Sequence, residues 1–220
     1  MNKDMAKDIY SSYNELKARE EINRDYEIWI SDVGSPITIM APHGGRIEPR
    51  TSYIARSVAR DKFNCYCFEG IKADNNALLH ITSHNFDEPQ ALKLIARSQS
   101  VVTVHACTDR ESRVYLGGLD TRLIAVIAGQ LKARGIVRAR TNSRYPGLNP
   151  ANICNRGTAR KGAQLEVSRG LRDDLRQVEL LAAAVHAALT DFALRRHKSE
   201  KDIKDTKKEI DCNNGGKTCQ

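Results

Sequence analysis

Ile37-Thr38-Ile39-Met40-Ala41-Pro42-His43-Gly44-Gly45-Arg46-Ile47-Glu48-Pro49 is the stretch from which the rest of the chain can be read. Its first five residues form an apolar run of strand length. An imidazole, two glycines and a carboxylate follow at once, so they stand just past a strand's C-terminal end, where open α/β sheets form their ligand crevices. His43 and Glu48 are five residues apart, roughly 500° of rotation on a helix, so a helix would not bring them to one face. A turn would, and Gly44-Gly45 permit the backbone such a turn needs. A His and a Glu joined this way are two ligands of a metal site, and a third must come from elsewhere.

Outward from this stretch the chain alternates strand and helix patterns. Tyr26–Ile30 alternates like a strand and, across the Val33–Pro36 turn, is expected to pair with Ile37–Ala41 as a hairpin. Pro49 is placed to open a helix reaching about Arg60. Strand patterns follow at Asn64–Glu69 and Ala77–Thr82, with a helix over Pro89–Ser98. Val101–Ala106 is continuous and β-branched, the signature of a strand buried on both faces. Val114–Leu119 ends in glycines. Thr121–Arg134 is a helix between Asp120 and Gly135. A short strand is expected over Ile136–Arg140, then a long irregular stretch over Thr141–Gly162, a last strand at Gln164–Ser168, and a closing helix from Leu171 or Asp173 to Leu194. The pattern predicts a single-domain α/β fold, a mixed and mainly parallel sheet flanked by helices. Residues 1–25 read as a peripheral helical segment, with a helix over Lys7–Glu21. Residues 26–194 form the domain, and residues 195–220 a charged tail expected to be disordered.

At 220 residues the chain is long enough for one well-packed domain. The net charge of +8 favours a polyanionic partner. The tail holds eight Lys/Arg against five Asp/Glu, so the body keeps about +5. Nucleic acid is one polyanion, but neither aromatic stacking platforms nor a helix-turn-helix is present, so a nucleic-acid-binding protein is the weaker alternative. The start, Met1–Asp8, lacks the apolar core of a signal peptide. The longest apolar run, Leu180–Leu189, is about half a membrane span. These features lead to the expectation of a monomer made in the cytoplasm, with no membrane partner, acting outside only after lysis. The six cysteines include no CxxC pair and are expected to be reduced thiols. Cys65 and Cys67 alternate onto one face of a strand.

His105, closing the most buried strand, is the candidate third ligand. Two His and one Glu suit zinc with an open fourth position. Glu166, in the otherwise apolar Gln-Leu-Glu-Val-Ser run, is the candidate general base, since an unpaired carboxylate there needs a reason. An ion pair to Arg169 or Arg172 is the alternative. His80 and His84 are candidates for a supporting or substrate-side role. His186 reads as core and His197 as tail. Arg110, Arg144, Arg156, Arg160 and Arg169 flank the proposed site, and Arg156 and Arg169 bracket Glu166, which makes these two the candidates to bind substrate, together with His84.

Ala41-Pro42-His43-Gly44-Gly45-x-Ile47-Glu48-Pro49, Phe68-Glu69-Gly70, Leu79-His80-Ile81-Thr82-Ser83-x-x-Phe86-Asp87-Glu88-Pro89, Val104-His105-Ala106 and Gln164-Leu165-Glu166-Val167-Ser168-x-x-Leu171-Arg172 together resemble the poly-γ-glutamate hydrolases of bacilli and their phages. The resemblance spans roughly residues 25–193. It implies a zinc carboxypeptidase-like fold with one zinc ion, His43, Glu48 and His105 as ligands, Glu166 as general base, and hydrolysis of the γ-glutamyl amides of a polyanionic polymer. N-formylglutamate deformylases are similar in chemistry, and another zinc amidohydrolase, acting on N-acyl-glutamate or peptidoglycan amides, is the alternative. Arg46 departs from the pattern, standing where a small residue is expected.

Overall fold

The computed structural model describes residues 8–137 and 145–214, with side chains described as far as Arg195. Six strands form one sheet: β1 (Tyr26–Ser31), β2 (Ile37–Gly45), β3 (Asn64–Gly70), β4 (Ser100–Cys107), β5 (Val114–Gly117) and β6 (Ala163–Ser168). Their order is β1-β3-β2-β4-β6-β5. The four central strands are parallel, and the two edge strands, β1 on β3 and β5 on β6, are antiparallel. This is the mixed, mainly parallel α/β sheet read from the sequence.

One pairing differs. β1 does not form a hairpin with β2, because β3 lies between them. β2 is buried along nearly its whole length, so parallel neighbours on both sides satisfy its backbone and its apolar faces together. The half-exposed pattern of β1 suits an edge.

Helices α2 (Thr51–Ala59), α4 (Thr121–Ala133) and α6 (Leu175–Asn214) cover one face of the sheet. There Ile39, Ala41, Cys65, Cys67, Val102, Val104, Leu165 and Val167 meet Ile54, Val58, Leu123, Ile127, Leu181 and Val185 in the main core. The other face carries a second core of Met40, Tyr66, Phe68, Val101, Phe86, Leu79, Ile81, Leu94, Ile95 and Ile153. Strand alternation sends successive residues to these two cores, as Val101 and Val102 do. Leu175–Arg195 is long and apolar enough to cross a membrane. Here it is the core helix packed on α2 and α4. His186, expected in the core, packs against Phe63 and bonds the Val58 carbonyl at 2.8 Å.

Several local expectations change. Ala77–Thr82 is not a strand: Asn76–Leu79 makes one 3-10 turn and the chain then runs irregularly to Glu88. Leu79 and Ile81 still face the second core, which explains their apolar spacing. Helix α3 (Pro89–Ile95) opens on Glu88, whose carboxylate accepts from the Gln90 and Ala91 amides and from the Tyr66 hydroxyl, so this buried acid is a cap. Pro49 does not open α2; Arg50, at φ 74°, separates it from the helix.

Within the described residues 8–25 the chain reaches the core. The helix there, α1, covers only Tyr13–Lys17, and Tyr10 and Leu16 are buried in the second core. Residues 1–7, which include Lys7 of the expected N-terminal helix, lie outside the described residues, as do residues 138–144, which include Arg144 and most of the strand expected over Ile136–Arg140. The described Ile136 and Val137 are not in a strand. The closing helix splits into α5 (Arg169–Arg172) and α6, and α6 continues through residue 195, where a disordered tail is expected from the sequence, to Asn214. Residues 215–220 lie outside the described residues.

Candidate metal centre

His43 owes its position to a β-bulge. By strand alternation it would share the face of Ala41, under α2. The register of β2 against β3 instead shifts between Ala41 and Gly44. The bulge re-aims the imidazole to the opposite face, where it meets Phe86, His80 and His105. The two glycines are therefore the bulged strand end rather than the turn itself. A Cβ on Gly44 would stand 2.0 Å from the Ser52 hydroxyl, and Gly45, at φ +62°, runs against Gly70. The turn follows them: the Ile47 amide donates to Gly44 O at 3.2 Å and the Glu48 amide to His43 O at 2.9 Å. That folds Glu48 back over His43. Arg46 points away, its guanidinium donating to Lys72 O at 2.8 Å, so it does not crowd the loop.

His105 needs no bulge. It alternates with Val101 and Thr103 onto the same face, and in register beside it on β6 stands Glu166. His43, Glu48 and His105 each offer a ligand atom, and these atoms all lie within 4.8 Å of one another. His43 Nδ1 is 3.1 Å from His105 Nδ1 and 3.4 Å from Glu48 Oε1, and His105 Nδ1 is 3.7 Å from Glu48 Oε2. The Ala106 amide donates to Glu48 Oε2 at 2.9 Å and fixes the carboxylate against β4.

The outer faces of the imidazoles show what this cluster would hold. His43 Nε2 lies 2.8 Å from the Ile81 carbonyl, which can only accept, so a neutral His43 keeps its proton there and turns a bare lone pair inward. His105 Nε2 is 3.3 Å from the Ser83 hydroxyl, which can accept in the same way. Burial pushes the His105 imidazole down to about 3, so it is neutral at physiological pH. Two lone pairs and a carboxylate then face one another in a buried hole, a donor set that a divalent cation satisfies. The nitrogen and oxygen donors suit zinc.

The surrounding charges compete for the His43 lone pair, because Glu48 favours the protonated imidazole. Burial works against protonating His43, but the facing Glu48 carboxylate outweighs it and raises its pKa. Burial likewise works against ionising Glu48, but His43 and then His105 hold it below its ordinary value. Glu166 behaves oppositely: burial, then the Glu48 charge, push its carboxyl well above the usual range. Its Oε1 accepts from the Gln164 amide at 3.0 Å, and neither Arg169 nor Arg172 makes the ion pair weighed for it. Of the substrate-side candidates, Arg156 donates to Phe86 O at 3.0 Å, Arg169 is exposed beside Asp173 at 3.4 Å, and His84 is exposed.

Three contributors were not found from the sequence. Asp8 accepts from the Thr82 amide and pairs with His80 Nδ1 at 2.6 Å, and the His80 ring packs on His43 with centroids 3.9 Å apart. Ser83 backs His105. Arg172 ties strand ends together. None carries a spacing signal, because each acts across tens of residues.

The sequence profile of the poly-γ-glutamate hydrolases matches residues 10–193. YndL of Bacillus subtilis is 36% identical over 172 residues, covering 77% of this chain and 68% of YndL. A zinc-free apo structure of YndL superposes with a TM-score of 0.78 at 30% identity, covering 84% of this chain and 98% of the other. A bacteriophage poly-γ-glutamate hydrolase gives a TM-score of 0.82 at 27% identity, covering 85% and 99%. An N-formylglutamate amidohydrolase from Ralstonia eutropha shares the fold at a TM-score of 0.54 and 11% identity, covering 78% and 99%.

Proposed function

The chain belongs to the poly-γ-glutamate hydrolase family, and from that premise we propose that it cleaves the γ-glutamyl amide bonds of poly-γ-glutamate with one zinc ion held by His43, Glu48 and His105 and with Glu166 as general base. The observation that carries this reading is the convergence of the three donors beside a buried carboxylate one strand away. When bound, the ion supplies Lewis-acid polarisation of the amide carbonyl and acidifies water for attack.

The remaining work falls to the chain. Ile81 and Ser83 fix the imidazole tautomers, and the Ala106 amide fixes the Glu48 carboxylate. Glu166 takes the proton of the attacking water and returns it to the departing amide nitrogen. A carboxyl raised above its ordinary range is a stronger base toward the water proton than an ordinary carboxylate. The Gln164 amide on Oε1 holds the orientation of the base and leaves Oε2 for the proton. The substrate carries one free carboxylate per residue, and the net charge of +8 draws such a polyanion in. Arg156 and Arg169 on the flanking segments, with His84, are the side chains proposed to meet its carboxylates.

Incubation with poly-γ-glutamate, followed by size-exclusion chromatography with and without a chelator, tests this reading. Shortened polymer, with cleavage abolished by the chelator and restored by zinc, is expected. Polymer of unchanged length at full zinc loading would sink it.

A further inference from the structure

The metal ligands sit where the sheet comes apart. β2 and β4 are paired only as far as Met40 and Thr103. Beyond that point the two strands diverge, and both His43 and His105 lie beyond it. β4 and β6 remain paired to Cys107 and Ser168. No ladder bond therefore fixes the loop bearing Glu48 against the ends of β4 and β6.

Arg172 occupies that gap. It is buried, with 8% of its surface exposed. Its Nη1 donates to Pro49 O at 2.7 Å, its Nη2 to Cys107 O at 3.1 Å and its Nε to Val167 O at 3.1 Å. Pro49 adjoins Glu48, Cys107 lies two residues past His105, and Val167 adjoins Glu166. One guanidinium thus caps three separate chain segments, each next to a residue of the proposed centre. Among the described residues it makes no ion pair. A buried charge whose three hydrogen bonds all go to backbone carbonyls is costly to place, and a neutral side chain would relieve that cost. The fork geometry explains its use here: three donors point in fixed directions within one plane, which an ammonium does not provide.

We propose that Arg172 is a positioning residue that sets the spacing between the Glu48 loop, the end of β4 and the end of β6, and through it the spacing of the ligand set from the base. The proposal rests on the metal and base assignments above. Removal of the fork leaves the Ala106 amide on Glu48 Oε2 as the hydrogen bond that still ties the Glu48 loop to β4 among the described residues, so the spacing of the three donors is less tightly set.

The test uses Arg172→Met, Arg172→Lys and Arg172→Ala in the full chain, with zinc affinity measured by competition against a chromophoric chelator, kcat and KM on poly-γ-glutamate, and unfolding of the metal-free protein. Arg172→Met should weaken zinc by about 10–100-fold, the range for lost outer-sphere partners. It should lower kcat with little change in KM, and Arg172→Lys should fall between it and wild type. Guanidinium ion at low millimolar concentration should restore zinc affinity to Arg172→Ala and not to His105→Ala. A folded Arg172→Met with wild-type zinc affinity and kcat overturns the proposal. If that variant does not fold, Arg172→Lys decides: wild-type values for both quantities overturn it, and a loss of both supports it. Wild-type protein that holds no zinc defeats the metal assignment itself, a separate outcome from wild-type protein that holds zinc while the Arg172 variants match it.

Discussion

Replacing Glu166 with Gln separates the two things its burial does. Glu166 is 8% exposed, faces Glu48 and, among the described residues, has one side-chain hydrogen bond, from a neutral amide to Oε1. Glutamine keeps its shape and removes its charge. As the general base, Glu166 should be worth about 10²–10⁴ in kcat, or about 3–5 kcal/mol of barrier at 1.36 kcal/mol per decade. Zinc should stay bound at one ion per chain, because Glu166 is outside the ligand set. Stability should move the other way. Burial, then Glu48, raise the folded pKa of Glu166, while Arg172 and the Gln164 amide oppose the shift in part. A carboxyl raised on folding contributes fully below its unfolded pKa of about 4.3, and that contribution is lost as pH rises through the folded pKa. Metal-free Glu166→Gln should therefore be more stable than metal-free wild type at pH 7, with the difference closing below about pH 4. Thermal unfolding of both metal-free proteins across that range, beside oligomer release from the polymer, reads both effects. Turnover within tenfold of wild type removes Glu166 as the base; a metal-free variant less stable than wild type at pH 7 refutes the electrostatic account of its burial.

His105→Ala should lose zinc by more than the roughly 100-fold that an outer partner costs, measured by chelator competition, while the rest of the sheet keeps its circular dichroism. Gly44→Ala places a Cβ 2.0 Å from Ser52 Oγ and 2.9 Å from Phe68 O, so the bulge must shift. It should cost about 1–3 kcal/mol in denaturant unfolding and weaken zinc in parallel, since the same bulge aims His43.

The strands that hold the candidate site residues are legible because their patterns are local. Val101–Ala106 read as doubly buried and is β4, with His105 near its end. Gln164–Ser168 read as the last strand and placed Glu166 beside it. What was not legible depends on pairings across long separations. Whether Tyr26–Ile30 pairs with β2 or β3 is decided by which edge must be solvated, and local alternation is the same in both cases. Gly44-Gly45 read as a turn because glycine signals freedom, not whether that freedom is used to turn or to bulge. Ala77–Thr82 read as a strand because Leu79 and Ile81 alternate, although a loop draped over Phe86 needs the same spacing. Arg172 contacts Pro49 across 123 residues, and Asp8 contacts His80 across 72.

Zinc-edge anomalous diffraction from a crystal of the zinc-loaded protein tests the central assignment most directly. One peak is expected per chain, about 2.0–2.2 Å from a nitrogen of His43, a nitrogen of His105 and a Glu48 carboxylate oxygen. A peak on other residues, or none between these three at stoichiometric zinc, would contradict it.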